Sequence, residues 1–209
     1  MGSSGVGLSG ATPKVDGALA TVGTGGMAPR DDHVHGRTHW APADQGFLTW
    51  QGDPALYTTG STTTGGTVYL SRLHLPVAAT VTNVCLFVTA VGVALTSGQC
   101  FAALYSAAGG LLGTTADQSA AWVSTGLKTM ALAGGTYSAT AADYYVAFFW
   151  NGSTSPTWLR GASQSSVNVG LSAPNLRFAS ADTGRTTSMP STLGAQSSVS
   201  ATAWWAALS

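Results

Sequence analysis

The chain contains few charged residues and no glutamate. Lys and Arg together number 8, as do Asp and Glu, so charged residues make up 8% of the 209-residue sequence, against about 25% in an average globular domain. The formal net charge is zero, which argues against nucleic acid and anionic membranes as partners because both are recognised through a basic excess. Since 44% of the chain is hydrophobic, it should fold. A near-neutral surface also favours self-association, and we expect an oligomer.

The scarcity of acidic residues weighs against catalysis. Five of the eight aspartates lie within the first 53 residues, and those that remain are Asp117, Asp143 and Asp182. Each stands beside turn-forming residues and is predicted to be a turn cap, whereas glycoside hydrolysis needs two facing acids. His74, the one histidine beyond residue 40, is predicted to lie on a strand face. No G-x-S-x-G elbow, Walker loop or dinucleotide fingerprint occurs, so the sequence predicts a structural or binding protein, not an enzyme.

Cysteine is scarce as well, with Cys85 and Cys100 each in an apolar, strand-like run. We interpret both as small buried hydrophobic residues, and a disulfide between neighbouring strands is the alternative. Residues 75–116 contain no charge at all. Their β-branched residues and glycine interruptions favour buried strands over a spanning helix of about 20 apolar residues, so no membrane insertion is expected. The first five residues lack the basic and apolar regions of a secretory signal, and none is expected.

Three segments follow one another along the chain. Residues 1–40 are glycine-rich, hold three of the four histidines and lack periodicity, which predicts an extended N-terminal arm. Residues 41–67 mix turn formers with isolated aromatics and predict a linker. Residues 68–209 contain short apolar runs separated by turn signals. This pattern predicts an all-β domain, a jelly-roll-like antiparallel β-sandwich.

About ten runs in this domain have the character of strands. In residues 69–75, Tyr69, Leu73 and Leu75 fall on one face, with Arg72 and His74 on the other. The strongest run covers residues 144–150, where β-branched and aromatic residues dominate. The remaining runs are 81–91, 99–105, 111–115, 121–123, 127–132, 156–160, 167–171, 176–179 and 199–208.

A histidine cluster stands out in the arm, where residues 27–36 concentrate charge in a chain that otherwise avoids it. An extended backbone would place His33 and His35 on the same side. Three chains around a threefold axis would then supply six imidazoles, enough for octahedral coordination of one shared divalent transition metal. Alternatively, these histidines bond to the backbone or to Asp31 and Asp32 and lock a turn. His39 is a weaker ligand candidate.

The segment containing these histidines, Gly-Thr-Gly-Gly-Met-Ala-Pro-Arg-Asp-Asp-His-Val-His at residues 23–35, resembles one in minor tail and fibre proteins of tailed bacteriophages. There a Gly/Thr/Ala-rich stretch leads into Ala-Arg-x-Asp-His-x-His, usually followed by proline. Here Pro29 separates Ala28 from Arg30, and Gly36 takes the place of that proline. A weaker similarity links residues 103–112, 122 and 144–147 to the β-sandwich tips of such proteins.

The resemblance implies a homotrimeric structural component of a virion, either a tail fibre or minor tail protein or a capsid-attached fibre or decoration protein. Its N-terminal arm would bind other virion proteins, and its β-domain would point outward and contact the host surface, including cell-surface glycans. No catalytic residue is expected, and the shared metal at His33 and His35 is the one cofactor considered.

A carbohydrate-binding β-sandwich module is the alternative function. Aromatic rings can stack on sugar faces, and the β-like region is rich in tryptophan. The same residues are also expected to be core or subunit contacts, because large aromatics dominate burial. An exposed tryptophan pair beside Asp or Asn in a groove would favour sugar binding. The tryptophans concerned are Trp122, Trp150, Trp158, Trp204 and Trp205.

Overall fold

The structure, a computed structural model, describes residues 40–163, 165–198 and 201–209. Fifteen strands and three short 3₁₀ turns occur in these ranges. The strands are β1 Thr49–Trp50, β2 Thr59–Ser61, β3 Val68–Leu75, β4 Ala79–Val81, β5 Asn83–Ala90, β6 Val93–Leu95, β7 Phe101–Ser106, β8 Leu111–Thr114, β9 Gly126–Ala131, β10 Tyr137–Ala139, β11 Ala142–Phe149, β12 Gly152–Thr154, β13 Thr157–Arg160, β14 Phe178–Ala181 and β15 Ala206–Leu208. The 3₁₀ turns are Pro42–Gln45, Pro54–Leu56 and Ser165–Asn168.

Two antiparallel sheets form the sandwich. The β3 sheet has the order β14-β3-β11-β7-β8. The β5 sheet is centred on β5, which pairs with β9 on one side and with β13 and β15 on the other, while β2 and β1 pair with the outer edges of β13 and β15. Successive long strands alternate between the sheets, apart from the β7–β8 hairpin. The all-β, jelly-roll-like sandwich predicted from sequence is thus confirmed.

The structure of strand β11 explains why the predicted run at residues 144–150 is almost continuously apolar. Side chains alternate across a strand, so Tyr144, Val146 and Phe148 enter the core between the sheets. Tyr145 and its alternate neighbours point the other way, into a second cluster that includes Met189 from the C-terminal loops. Both faces of the strand are buried, which favours β-branched and aromatic residues throughout.

The outer face of the β5 sheet carries a smaller apolar cluster of Phe47, Cys85, Trp205 and Ala207. The segment before β3 contributes to it, because β1 pairs with β15 and β2 pairs with β13. Both strands fall within residues 41–67, where the sequence predicts a linker. Strands of two and three residues are too short to show a periodicity of two. The β-unit of the structure spans Pro42–Ser209.

Three of the predicted strand runs differ in the structure. Residues 121–123 form a turn, closed by the Trp122 N–H, which donates to the carbonyl of Gln118 at 3.0 Å. Residues 167–171 continue the 3₁₀ turn Ser165–Asn168, because the Asn168 side chain bonds to the backbone of Phe178. In the run 199–208, the described strand is Ala206–Leu208. The charge-free stretch 75–116 forms strands, and no helix of the described residues has the length and apolarity to cross a membrane.

We expect replacement of Gly152 by alanine to destabilise the β-unit by more than about 1 kcal/mol. Gly152 has φ +156°, and an added Cβ would lie 2.7 Å from the carbonyl oxygen of Ala94 and 2.8 Å from Cα of Leu95. These are backbone atoms of the paired strand segment, so they cannot rotate away. Urea unfolding measures the change. Gly134→Ala is the matched control, since its Cβ would meet nothing within 4 Å; equal losses for both variants would contradict the expectation.

Candidate functional site

A pocket of about 560 Å³ opens beside the C-terminal half of β3. Strand β14 pairs with β3 only from Val68 to Ser71, so the rest of that edge is available to other groups. The end of β1 occupies part of it, where the Thr49 hydroxyl donates to the His74 carbonyl at 2.7 Å. The volume of the pocket lies in the range of small-molecule sites, about 300–1,000 Å³. Side chains from both sheets and from the loop before β14 therefore meet here.

Three side chains that bond to one another, Arg72, His74 and Asp143, line one wall of the pocket. Asp143 receives Nη2 of Arg72 at 2.9 Å on one carboxylate oxygen and Nδ1 of His74 at 2.7 Å on the other. The antiparallel register places Asp143 directly opposite His74. Arg72 Nη1 also donates to the Asn175 carbonyl at 3.1 Å. These bonds fix the side chains of Arg72 and Asp143 relative to each other and to the loop before β14.

Arg177 also lines the pocket, and its carbonyl accepts from the Arg72 N–H at 2.9 Å. One orientation of the Gln51 side-chain amide gives hydrogen bonds to both its oxygen and its nitrogen. In this orientation the amide oxygen accepts from Arg177 Nε at 2.9 Å and from Nη2 at 2.6 Å, and the amide NH₂ donates to the hydroxyl of Tyr57. The Arg177 guanidinium also stands over the Phe178 ring, 5.3 Å from its centroid. Burial raises the pKa of Tyr57 although Arg177 acts to lower it, so the phenol stays protonated as a neutral partner.

The remaining walls are apolar. Trp50 of β1, which is partly exposed, and Leu171 of the loop before β14, which is 45% exposed, both line the pocket. Such a mixture of an aromatic surface with a few fixed polar groups is typical of small-molecule sites. The pocket can offer a ligand ionic contacts, hydrogen bonds and one flat apolar face.

The tryptophans considered for sugar stacking lie elsewhere. All five are at most 5% exposed: Trp122, Trp150, Trp158, Trp204 and Trp205. Their interpretation as core residues is confirmed, and they present no ring face to a sugar. Trp50 was missed as a site residue because the sequence around it predicts a linker. The one feature of the sequence that could have indicated Trp50 is that it is a large aromatic residue in a segment without an apolar run.

The three aspartates beyond residue 53 differ in role. Asp117 accepts from the Cys100 N–H at 3.1 Å, and Asp182 accepts from the Gly194 N–H at 2.9 Å. Both carboxylates therefore bond to backbone that is distant in the sequence, beyond the local turns where caps were predicted. Asp143 does not cap a turn; that prediction is wrong, because Asp143 lies within β11 and pairs with Arg72 and His74. His74 is exposed on its strand face, as predicted.

The two cysteines are free and buried, which confirms their interpretation as small core residues and excludes the disulfide. Cys85 belongs to the cluster outside the β5 sheet, and Cys100 belongs to the central core. Burial raises the pKa of both thiols, in Cys100 from 9.0 to about 11. Nearby Asp117 adds to the rise at Cys100. The protein environment therefore favours the unreactive neutral thiols.

We expect neither thiol of the folded protein to react with Ellman's reagent at mildly alkaline pH, and both to react after unfolding in denaturant. A pKa raised by folding also makes stability depend on pH. The stabilising contribution of neutral Cys100 is complete below pH 9 and is lost as the pH rises toward about 11. Absorbance of the released thionitrobenzoate counts the reactive thiols. Rapid modification of the folded chain would contradict the burial of both residues.

The metal hypothesis concerns His33, His35 and His39, all of which lie outside the described residues. Within the described ranges, no group of three or more His, Cys, Asp or Glu side chains is arranged to hold a metal ion. The pocket beside β3 holds His74 and Asp143 but no third ligand of those types. Comparisons with protein-family models, with curated proteins and with solved structures found no match for this chain.

Proposed function

We propose that the chain is a homotrimeric structural component of a bacteriophage virion, either a tail appendage or a capsid-attached fibre. The observation that carries the proposal is the resemblance of residues 23–35, with His33 and His35, to the arm segment of phage tail and fibre proteins. In this proposal residues 1–40 attach the protein to other virion proteins. The β-unit is displayed outward and contacts the host surface.

The β-unit suits the role of an exposed virion appendage because it is a two-sheet sandwich with few charges. Large apolar side chains fill the core between its sheets and the clusters on both outer faces. An appendage that must persist outside the cell benefits from stability that does not depend on salt, and buried apolar area provides it. The pocket beside β3 gives this unit one place to bind a small group on another surface.

Native mass measurement of the full chain tests the proposal. One chain has a mass of 21.0 kDa, and the proposal predicts a species of three times that mass at micromolar concentration. Three copies match the threefold symmetry of an extended appendage. A monomer under the same conditions would overturn the trimeric assignment, along with the metal site that depends on it.

We expect purified, unchelated protein to contain one divalent transition-metal ion for every three chains. The physical reason is that His33 and His35 of three chains supply six imidazole nitrogens, which suit such an ion. Elemental analysis by plasma mass spectrometry measures the ratio. The double variant His33→Ala/His35→Ala should lose the metal, and His74→Ala should keep it. A metal-free sample of the parent chain would contradict the metal site and support the alternative, in which the two histidines lock a turn.

A carbohydrate-binding module is the second candidate, favoured by Trp50 and Asp143 in the pocket. In this case the chain would act without a particle. Stoichiometry distinguishes the two candidates, since a module of this kind needs no trimer. Sugar binding alone does not, because a virion appendage can also recognise a host glycan.

A further inference from the structure

The charge balance of the pocket points to the kind of ligand it takes. Asp143 is paired with Arg72 at 2.9 Å, so these two charges offset each other. Arg177 contacts the neutral amide of Gln51, and within the described residues it makes no salt bridge. Of its two arginines and one carboxylate, the pocket therefore leaves one positive charge, that of Arg177, without an ionic partner. A ligand with a single negative charge completes it.

The guanidinium geometry favours a planar anion. Because Nε and Nη2 of Arg177 each donate to Gln51, the donors left for a ligand are the N–H groups of Nη1 and the second N–H of Nη2. Two such neighbouring donors match a carboxylate in two parallel hydrogen bonds. A phosphate dianion would bring a second negative charge against Asp143, which stands in the same pocket. Like charges at close range disfavour each other. The pocket thus favours a carboxylate over a phosphate.

The other walls specify the body of the ligand. The indole of Trp50 and the side chain of Leu171 form apolar surfaces, and the face of a pyranose ring carries C–H groups that pack on such surfaces. Each carboxylate oxygen of Asp143 makes one contact within the protein, with Arg72 or with His74. An ionised carboxylate can accept about four hydrogen bonds. Its remaining sites can accept hydrogen bonds from ligand hydroxyls.

We infer that the pocket lined by Trp50, Arg72, His74, Asp143, Leu171 and Arg177 binds a sugar bearing a carboxylate, such as a uronic acid residue of a surface polysaccharide. Arg177 holds the carboxylate, Asp143 accepts from ring hydroxyls, and Trp50 covers one ring face. This inference rests on the proposed function, because it names what the outward β-unit would recognise on a host.

Ligand-observed NMR titration of the full chain tests this site with two probes. Methyl β-D-glucuronide carries the carboxylate, and methyl β-D-glucoside is its neutral counterpart. The glucuronide should bind about tenfold or more tightly than the glucoside, as expected for a charge-assisted contact. Arg177→Gln should weaken glucuronide binding by a similar factor and leave glucoside binding unchanged. Trp50→Ala should weaken both.

Arg185→Gln is the matched control, because Arg185 lies outside the pocket and donates to the Ser188 carbonyl. It removes the same charge and should leave both affinities unchanged. Far-UV circular dichroism and thermal melting check that every variant is folded. Equal affinity for the two probes, no effect of Arg177→Gln, or no binding of the glucuronide would each overturn the inference. The mass measurement is separate: a trimer that binds no acidic sugar refutes this site and leaves the virion proposal standing.

Discussion

Replacing Trp158 with alanine should lower the free energy of unfolding of the β-unit by about 3–5 kcal/mol, the range for large aromatics removed from a core. Trp158 is 2% exposed, and its ring lies 4.8 Å from the rings of both Trp122 and Phe148. The substitution leaves a cavity where these rings meet between the sheets. A domain is typically stable by about 5–15 kcal/mol, so this single change removes a large part of the total.

Urea unfolding followed by far-UV circular dichroism measures this effect. Val169→Ala is the control, since Val169 is 82% exposed and a surface change of this kind usually alters stability by about 0.5 kcal/mol or less. Trp158→Phe separates packing from hydrogen bonding, because Trp158 Nε1 also donates to the Thr63 hydroxyl at 3.2 Å. The phenylalanine variant should recover most of the loss. A cost below about 1 kcal/mol for Trp158→Ala would show that the aromatic cluster is not the centre of the core.

If the chain is the trimer of the proposed function, removing residues 1–41 should convert it into a folded monomer. The β-unit spans Pro42–Ser209 and contains its own central core, so we expect it to fold by itself. In the proposed function the arm supplies the threefold contacts and any shared metal. Size-exclusion chromatography with light scattering should show a threefold drop in the number of associated chains, and the circular dichroism spectrum should retain its β-character.

A full-length His33→Ala/His35→Ala variant accompanies the truncation. If the histidines hold the trimer through a metal, this variant should dissociate as the truncated chain does. If the arm associates through other contacts, the variant stays trimeric. A truncated chain that is still a trimer would place the association in the β-unit and contradict the assignment of the arm.

Much of the sandwich could be predicted because its long strands carry local patterns. Strand β11 is rich in aromatic and β-branched residues, and the alternation in β3 correctly separated Leu73 from Arg72. Short strands were not predictable in this way. Strands β1 and β2 exist because distant partners, β15 and β13, offer them hydrogen bonds, and nothing within a stretch of two or three residues encodes that pairing.

The candidate pocket was largely hidden from the sequence for the same reason. Asp143 meets His74 only through the register of β11 against β3, and its position beside turn-forming residues suggested a cap instead. Arg177 reaches the pocket from an irregular loop, and Trp50 reaches it from a strand at the edge of the other sheet. Composition correctly indicated that charged groups are few. It could not indicate which of them converge.

The location of the chain on a particle is the most direct test of the account. An antibody raised against residues 42–209 should label intact virions in electron micrographs, with the label on a tail or capsid appendage and away from the DNA-filled interior. The labelled positions should hold copies in multiples of three. Intact particles without label, with the protein confined to the soluble fraction of the lysate, would contradict the proposal that this chain is a structural component of a virion.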